Sequence, residues 1–343
     1  MNNSKHLSAF YIRCVILLSP LIALLAFYLI KDPFMVIHPK VTDYDKSHIM
    51  QNEGVIGWEK LKAFNPTKHY DAFIMGNSCT KSFPCEDWNR YIHGRPFRFF
   101  SNAEDIGEFQ QMLTALGKIK SRKINHLLVV VDRSFFETAD PRRGMIHIMP
   151  PDVSGCSWMN FQMQFFQGFM SPKFLFPYMY YLLTGTISNS GKAVIAKYVP
   201  TRTLYTNDAV LWQELDIKKY GENNWKELDK NGKYTDKDWV MNMKSAKPHE
   251  GPPDIGSQQR EALLSIRTFC RAHHTDIQWV ISPNSQKEQM NAHDMEVLRN
   301  IFGNAHVHDY SACRRFYDYH YFYDAAHYRR YVGNSILKDI YAR

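Results

Sequence analysis

The run Leu127–Val131 (LLVVV) constrains the fold more than any other stretch of the chain. Consecutive apolar residues without alternation are what a strand buried on both faces requires. Such strands belong to parallel sheets covered by helices on either side. The neighbouring sequence repeats that logic. His69–Met75 is a short apolar strand ending at Gly76, Phe97–Phe100 is a second, Ile277–Ile281 (IQWVI) a fourth, and Ala305–His308 a fifth. Helical patterns fall between them: Glu86–Ile92 after Pro84, and Gly107–Lys120 with Met112, Leu113, Leu116 and Ile119 at helical spacing. Beyond Ser257, the residues Ala262, Leu263, Ile266 and Phe269 mark one helical face, and Glu288–Phe302 and Ala325–Tyr341 read as further helices. Strands alternating with helices predict βαβ units with right-handed crossovers. The expected fold is α/β, a doubly wound three-layer parallel sheet.

Two stretches stand outside this alternation. Cys14–Ile30 (CVILLSPLIALLAFYLI) carries no charge and falls at the short end of the roughly 17–25 apolar residues that span a bilayer. Pro20 is tolerated in such a helix. Lys5 and Arg13 precede it, which predicts a cytoplasmic N-terminus. The following FYLIKDPF offers no small-residue cleavage site, so an uncleaved anchor is favoured over a signal peptide. The expected organisation is a tail and single-pass anchor over 1–31 in the cytoplasmic (inner) membrane, a stalk over 32–68, and an extracytoplasmic domain over 69–343 interrupted by an insertion at about 140–250. Within the insertion Trp158–Leu183 is rich in Phe, Met and Tyr, whereas 213–249 is polar. It reads as a cap or lid, as an aromatic surface near lipid, or as ordinary helices packed on the sheet.

The formal charge is +8, but Lys and Arg are scattered. There is no zinc finger, basic zipper or aromatic RNA-binding signature, so nucleic acid is not an expected partner. Cys14 lies in the anchor, and the other five cysteines permit a disulfide without requiring one. No C-x-x-C or H-E-x-x-H spacing is present, and no metal or other cofactor is expected.

Open α/β sheets bind ligands beyond the carboxyl ends of their strands. Ser78 follows the first strand in the turn Gly76-Asn77-Ser78-Cys79-Thr80, where a glycine allows a sharp bend. A serine needs an adjacent base to become a nucleophile. Tyr323-Asp324-Ala325-Ala326-His327-Tyr328 offers one: Asp324 is placed as the cap of the last helix, and His327 in its first turn. In this arrangement His327 takes the Ser78 proton, while Asp324 fixes the tautomer and stabilises the imidazolium. Asp318 and His320 form a rival pair but fall too far before the expected helix. Cys79 lies one step past the turn and is expected to be buried or disulfide-bonded. Arg142 and Arg143 read as a solvated pair, and Asn284 as a turn residue after Pro283.

Gly76-Asn77-Ser78 resembles the first block of the SGNH/GDSL hydrolase superfamily, with asparagine at 77 where the pattern has aspartate, and Asp324-x-x-His327 resembles its last block. The order along the chain is also that of the superfamily. The resemblance covers 69–135 and 255–343 and implies a flavodoxin-like SGNH sheet. An N-terminal anchor with such a domain outside resembles envelope polysaccharide acetylation proteins related to alginate acetyltransferases and to the teichoic-acid D-alanyl transfer protein. In the superfamily's second block a glycine amide lines the oxyanion hole. Here Gly107, in Asn102-Ala103-Glu104-Asp105-Ile106-Gly107, occupies that place beside the Ser78 amide. The third block usually carries an asparagine donor. This chain has Val131-Asp132-Arg133-Ser134 instead, leaving Arg133 or the insertion to substitute. Asn77, Asn102, Asp132 and Arg133 are thus candidate substrate contacts.

The resemblance implies a serine esterase or O-acyltransferase acting on an envelope polysaccharide or acylated glycan. A transferase would also need a membrane-embedded acyl-donor protein. A lipid-directed esterase is suggested by the aromatic insertion. The alternative from another class is a non-catalytic glycan-binding or assembly factor on the same scaffold, which the missing third-block asparagine favours.

Overall fold

The computed structural model describes residues 2–99, 104–119, 123–196, 201–221 and 242–342. Its centre is a parallel sheet of five strands, β1 (Ala72–Gly76), β2 (Pro96–Arg98), β3 (His126–Val131), β4 (Asp276–Ile281) and β5 (Val307–Asp309), ordered β2-β1-β3-β4-β5. Register is fixed along the whole of β3: Ala72 to Gly76 pair with His126 to Val130, and His126 to Val131 pair with Asp276 to Ile281. Among the described residues the longer helices are α1 (Asn2–Lys31), α2 (Glu53–Lys68), α3 (Cys85–Ile92), α4 (Ile106–Gly117), α5 (Trp158–Met170), α6 (Pro172–Thr184), α7 (Trp212–Tyr220), α8 (Ser257–His273), α9 (Ala292–Phe302) and α10 (Arg330–Tyr341).

Leu127 to Val131 are all fully buried, because both faces of the sheet are covered. Leu127, Val129 and Val131 meet α2, α4, α8 and α9 through Leu61, Leu113, Leu263 and Leu298. Leu128 and Val130 meet α3 and α10 through Trp88, Ile336 and Leu337. The fold is therefore three-layered α/β, as expected from the apolar run.

Residues 32–68 do not form a stalk. The second half is α2, and Trp58 and Leu61 lie in the main core. Lys60 is fully buried beside them, its ammonium 2.7 Å from Asp45. Arg202 from the insertion joins the same cluster, reaching Asp45 at 2.8 Å and Glu53 at 2.5 Å. The segment after α1, α2 and the insertion are thus fastened together by paired buried charges.

Several element boundaries also move. The last helix begins at Arg330, not Ala325, because the chain before it closes an antiparallel bridge between Phe322 and Tyr328. Glu288–Gln289 pairs with His249–Glu250 in a small parallel ladder, so α9 starts only at Ala292, capped by Asn291. Residues 304–306 form a helical turn before β5. All six cysteines are unpaired. Among the described residues one helix is long and apolar enough to cross a membrane, His6–Lys31, and a signal sequence would meet the same criterion.

Gly76 ends β1 with φ +133°, and a Cβ there would lie 2.0 Å from the Val130 carbonyl oxygen. No side chain fits between β1 and β3 at this point. Gly76→Ala is predicted to cost at least about 3 kcal/mol in denaturant unfolding, since core overlap adds to backbone strain. Gly155→Ala is the comparison: its φ is +72° with nothing within 4 Å, so only the left-handed backbone penalty of about 1 kcal/mol applies.

Candidate active site

After Gly76 the chain enters a short 3-10 turn, Ser78–Ser82. Asn77 is buried, and its side-chain oxygen accepts the Cys79 amide at 3.0 Å. Thr80 returns a bond, its hydroxyl donating to the Asn77 carbonyl at 2.9 Å. These bonds hold the turn that presents Ser78, which is half-buried. As first residue of the turn, Ser78 has an amide that no helical carbonyl satisfies. The side chain at 77 thus serves as an acceptor, a role that asparagine fills as well as aspartate.

The tail of the chain meets this turn directly. Gly333 of α10 sits so close that a Cβ would lie 1.9 Å from the Ser82 carbonyl oxygen. The Ser82 hydroxyl donates to the Tyr328 carbonyl. Cys79 Sγ lies 4.0 Å from the Ala326 carbonyl oxygen. Tyr328 is fully buried between Phe83 and Phe322, and its hydroxyl is 3.0 Å from Ser282 Oγ at the end of β4. The two residues flanking His327 are therefore docked on the segment that starts at Ser78.

In that loop Asp324 and His327 form a pair. His327 Nδ1 is 2.9 Å from both carboxylate oxygens, and Asp324 also accepts the Ala326 and His327 amides. Asp324 is exposed and His327 half-buried. Burial would raise the Asp324 pKa. The bond to His327, its charge and the two amides outweigh burial and hold the carboxyl below the usual range. Asp324 caps a local turn rather than α10, which starts three residues after His327. His327 Nε2 is buried and has no hydrogen-bond partner among the described residues. A carboxylate on Nδ1 fixes the proton there, which leaves Nε2 of the neutral ring as an acceptor. Asp318 and His320 make a similar pair at 2.8 Å, but in a separate turn beside Tyr319 and Lys244.

Ser78 follows β1 and Asp132 follows β3. The strand order reverses between these two strands, where open α/β sheets leave a crevice. Asp132 accepts the Ser134 amide and hydroxyl at 3.0 and 2.5 Å, and its other oxygen is 4.0 Å from Cys79 Sγ. Burial, with the Asp132 charge adding to it, pushes the Cys79 thiol well above its ordinary pKa. Cys79 is thus a neutral packing residue, free of any disulfide.

Other expected residues are engaged elsewhere. Arg133 is held by Asp254 at 2.6 Å, Glu137 at 2.9 Å and Glu288 at 3.1 Å. Gly107 is in the first turn of α4, where a Cβ would collide with the Ala139 carbonyl. Its place in the fold is one of close packing. Asn102 lies outside the described residues. Arg142 is not simply solvated, since it lies 3.7 Å from the buried Asp105. Asn284 is a turn residue as expected, bonding the Glu288 carbonyl and amide.

Arg98 is a positioning residue that sequence reasoning missed. It is fully buried at the end of β2, donating to the Asn207 carbonyl at 2.7 Å and to the Thr80 hydroxyl at 3.3 Å. Asp208, 4.0 Å away, neutralises it and accepts the Cys85 amide. Beside this network a cavity of about 490 Å³ opens along Lys81, Thr206, Leu211, Glu214 and Arg330. Burial lowers the Lys81 pKa, the charges of Glu53 and Asp324 opposing that shift. No sequence pattern marks Arg98, because its carbonyl and carboxylate partners, Asn207 and Asp208, come from the insertion.

Compared with protein-family models, with curated proteins and with solved structures, the chain gives no significant match.

Asp105 provides a pH test of the second block. It is fully buried, caps α4 through the Glu108 amide at 2.8 Å, and has its pKa pushed up to about 6. Burial is the main cause; the Glu108 charge adds to it, and Arg142 and the Glu108 and Gly107 amides oppose it. An acid whose folded pKa exceeds the unfolded value binds more protons when folded. Stability therefore falls as pH rises from the ordinary 3.8 to about 6. Asp105→Asn keeps a capping oxygen and is predicted to stabilise the protein by up to about 3 kcal/mol at neutral pH, at 1.36 kcal/mol per pKa unit. That gain should vanish in denaturant titrations near pH ~4, where Asp105 is already protonated.

Proposed function

We propose that the chain is a serine esterase or O-acyltransferase on an SGNH-type scaffold, anchored by α1, with its domain outside the cytoplasmic membrane and an acylated envelope glycan as substrate. The observation that carries this reading is the His327 ring. Its Nδ1 is tied to Asp324, its Nε2 is buried without a partner, and its loop is docked on the turn of Ser78. The strand order, with helices on both faces, supports the flavodoxin-like scaffold.

In the proposed reaction Ser78 Oγ attacks the acyl carbonyl as His327 Nε2 takes its proton. The Asp324 carboxylate stabilises the imidazolium, and the Ser78 amide donates to the oxyanion. His327 returns the proton to the leaving alcohol as the C–O bond breaks, leaving an ester on Ser78. Water or a sugar hydroxyl, deprotonated by the same nitrogen, then attacks that ester and releases Ser78.

A fluorophosphonate probe tests the reading. Labelling of the intact protein is expected, with complete loss in Ser78→Ala and His327→Ala. Asp324→Asn should slow labelling on the order of ten-thousandfold, because the wrong tautomer is then populated. Cys79→Ala should retain it. Labelling that survives Ser78→Ala contradicts the assignment. A folded protein that never labels favours a non-catalytic glycan binder, the reading suggested by the missing third-block asparagine and the engaged Arg133.

A further inference from the structure

The helical hairpin α5–α6 has two contrasting faces. Its inner face closes on the end of α1 and the segment just after it. Tyr28 stacks near Phe169 at 5.3 Å, while Phe34 meets Phe165 at 5.6 Å and Phe174 at 4.8 Å. Buried Gln162 fastens the joint, accepting from the Tyr28 hydroxyl at 3.4 Å and donating to the Val36 carbonyl at 3.0 Å. Asp32 turns the chain immediately after α1 by accepting the amides of Val36, Ile37 and His38. The hairpin is therefore fixed to the helix end rather than tethered.

The outer face is apolar and uncovered. On α6, Phe176, Tyr180 and Leu183 are 69%, 46% and 81% exposed and recur at i, i+4 and i+7, one stripe of a helix. Trp158, Met159 and Met163 of α5 add to the exposed surface. From Trp158 to Thr184 the only charged residue is Lys173, against 22% charged residues in the whole chain. Lys173 is exposed, one turn before Phe176 and on the same stripe.

We infer that the outer face of α5–α6 lies in the lipid headgroup and upper acyl region of the outer leaflet. This rests on the reading of α1 as an uncleaved anchor. Tyr28 is three residues before the end of α1, roughly 5 Å of helix at 1.5 Å per residue. A hairpin locked there sits at the depth of the membrane interface. Tyr and Trp favour that layer, and a lysine at its edge reaches the headgroups while its stem stays apolar. The occupant is lipid because the face continues from a helix whose own leucines, such as Leu17 at 79% exposure, need the same solvent. The consequence is that the domain is held in a fixed orientation on the membrane rather than swinging on a stalk.

The test uses the full chain in nanodiscs of phosphatidylcholine and phosphatidylglycerol, without other proteins. A bimane is attached at Leu183→Cys, and separately at Ile16→Cys in the anchor, with Cys14, Cys156 and Cys313 changed to serine. Fluorescence is compared with and without nitroxide-bearing lipids. The Leu183 label should lose most of its emission to a nitroxide in the upper acyl chain, and the Ile16 label to a deep one. A quenched Ile16 label with an unquenched Leu183 label overturns the inference and leaves the face for a membrane protein partner. If the Ile16 label is also unquenched, the anchor reading itself fails, and the inference with it.

Discussion

The structure depends on one close contact between distant parts of the chain. Gly333 of α10 is pressed onto the backbone at Ser82, where even a methyl group would overlap the carbonyl. That approach lets Ser82 bond the Tyr328 carbonyl and lets Tyr328 bury its ring and reach Ser282. The loop between them has little freedom left. Asp324 and His327 are held over the end of β1 by groups that have no chemical role. The geometry of the candidate site is thus a consequence of helix-to-turn packing, which is stiffer than any arrangement of exposed side chains.

Charge does comparable work on the other side of the turn. Arg98 bonds Thr80, the carbonyl of Asn207 and, through charge, Asp208. Arg202 spans Asp45 and Glu53, and Lys60 meets Asp45. Removing one member of such a pair leaves an uncompensated buried charge, so the members act together. The residues 201–210 therefore belong to the structural support of the Ser78 turn, even though the insertion separates them from it in sequence. The end of α1, the hairpin and this cluster are joined with the Ser78 turn into one connected body.

Much of this was legible in the chain. LLVVV revealed a doubly covered strand because uninterrupted apolar residues leave no solvent face. The Gly-x-Ser turn and the Asp-x-x-His loop were found by chemistry and by position after or before regular elements. What stayed hidden has physical causes. α2 looked like a stalk because Lys60 occupies a core position, which Asp45 and the Thr203 carbonyl make tolerable. The start of α10 was placed too early because Asp324 caps a turn of its own. Arg98 gave no local sign of being neutralised, since its carboxylate comes from the insertion, and Arg133 has only Glu137 nearby in sequence while Asp254 and Glu288 lie more than a hundred positions away. Gly107 matched an expected block by sequence, but close packing explains it. Tertiary partners decided each of these, and local pattern carries no record of them.

The central claim is that His327 Nε2 serves the Ser78 hydroxyl. A crystal structure of the protein after reaction with a fluorophosphonate measures this most directly. The account predicts phosphorus bonded to Ser78 Oγ, the phosphonyl oxygen on the Ser78 amide, and His327 Nε2 within hydrogen-bond reach, about 3 Å, of an oxygen of the adduct. An adduct on another residue, or a His327 ring separated from the adduct by more than one bridging water, would contradict it.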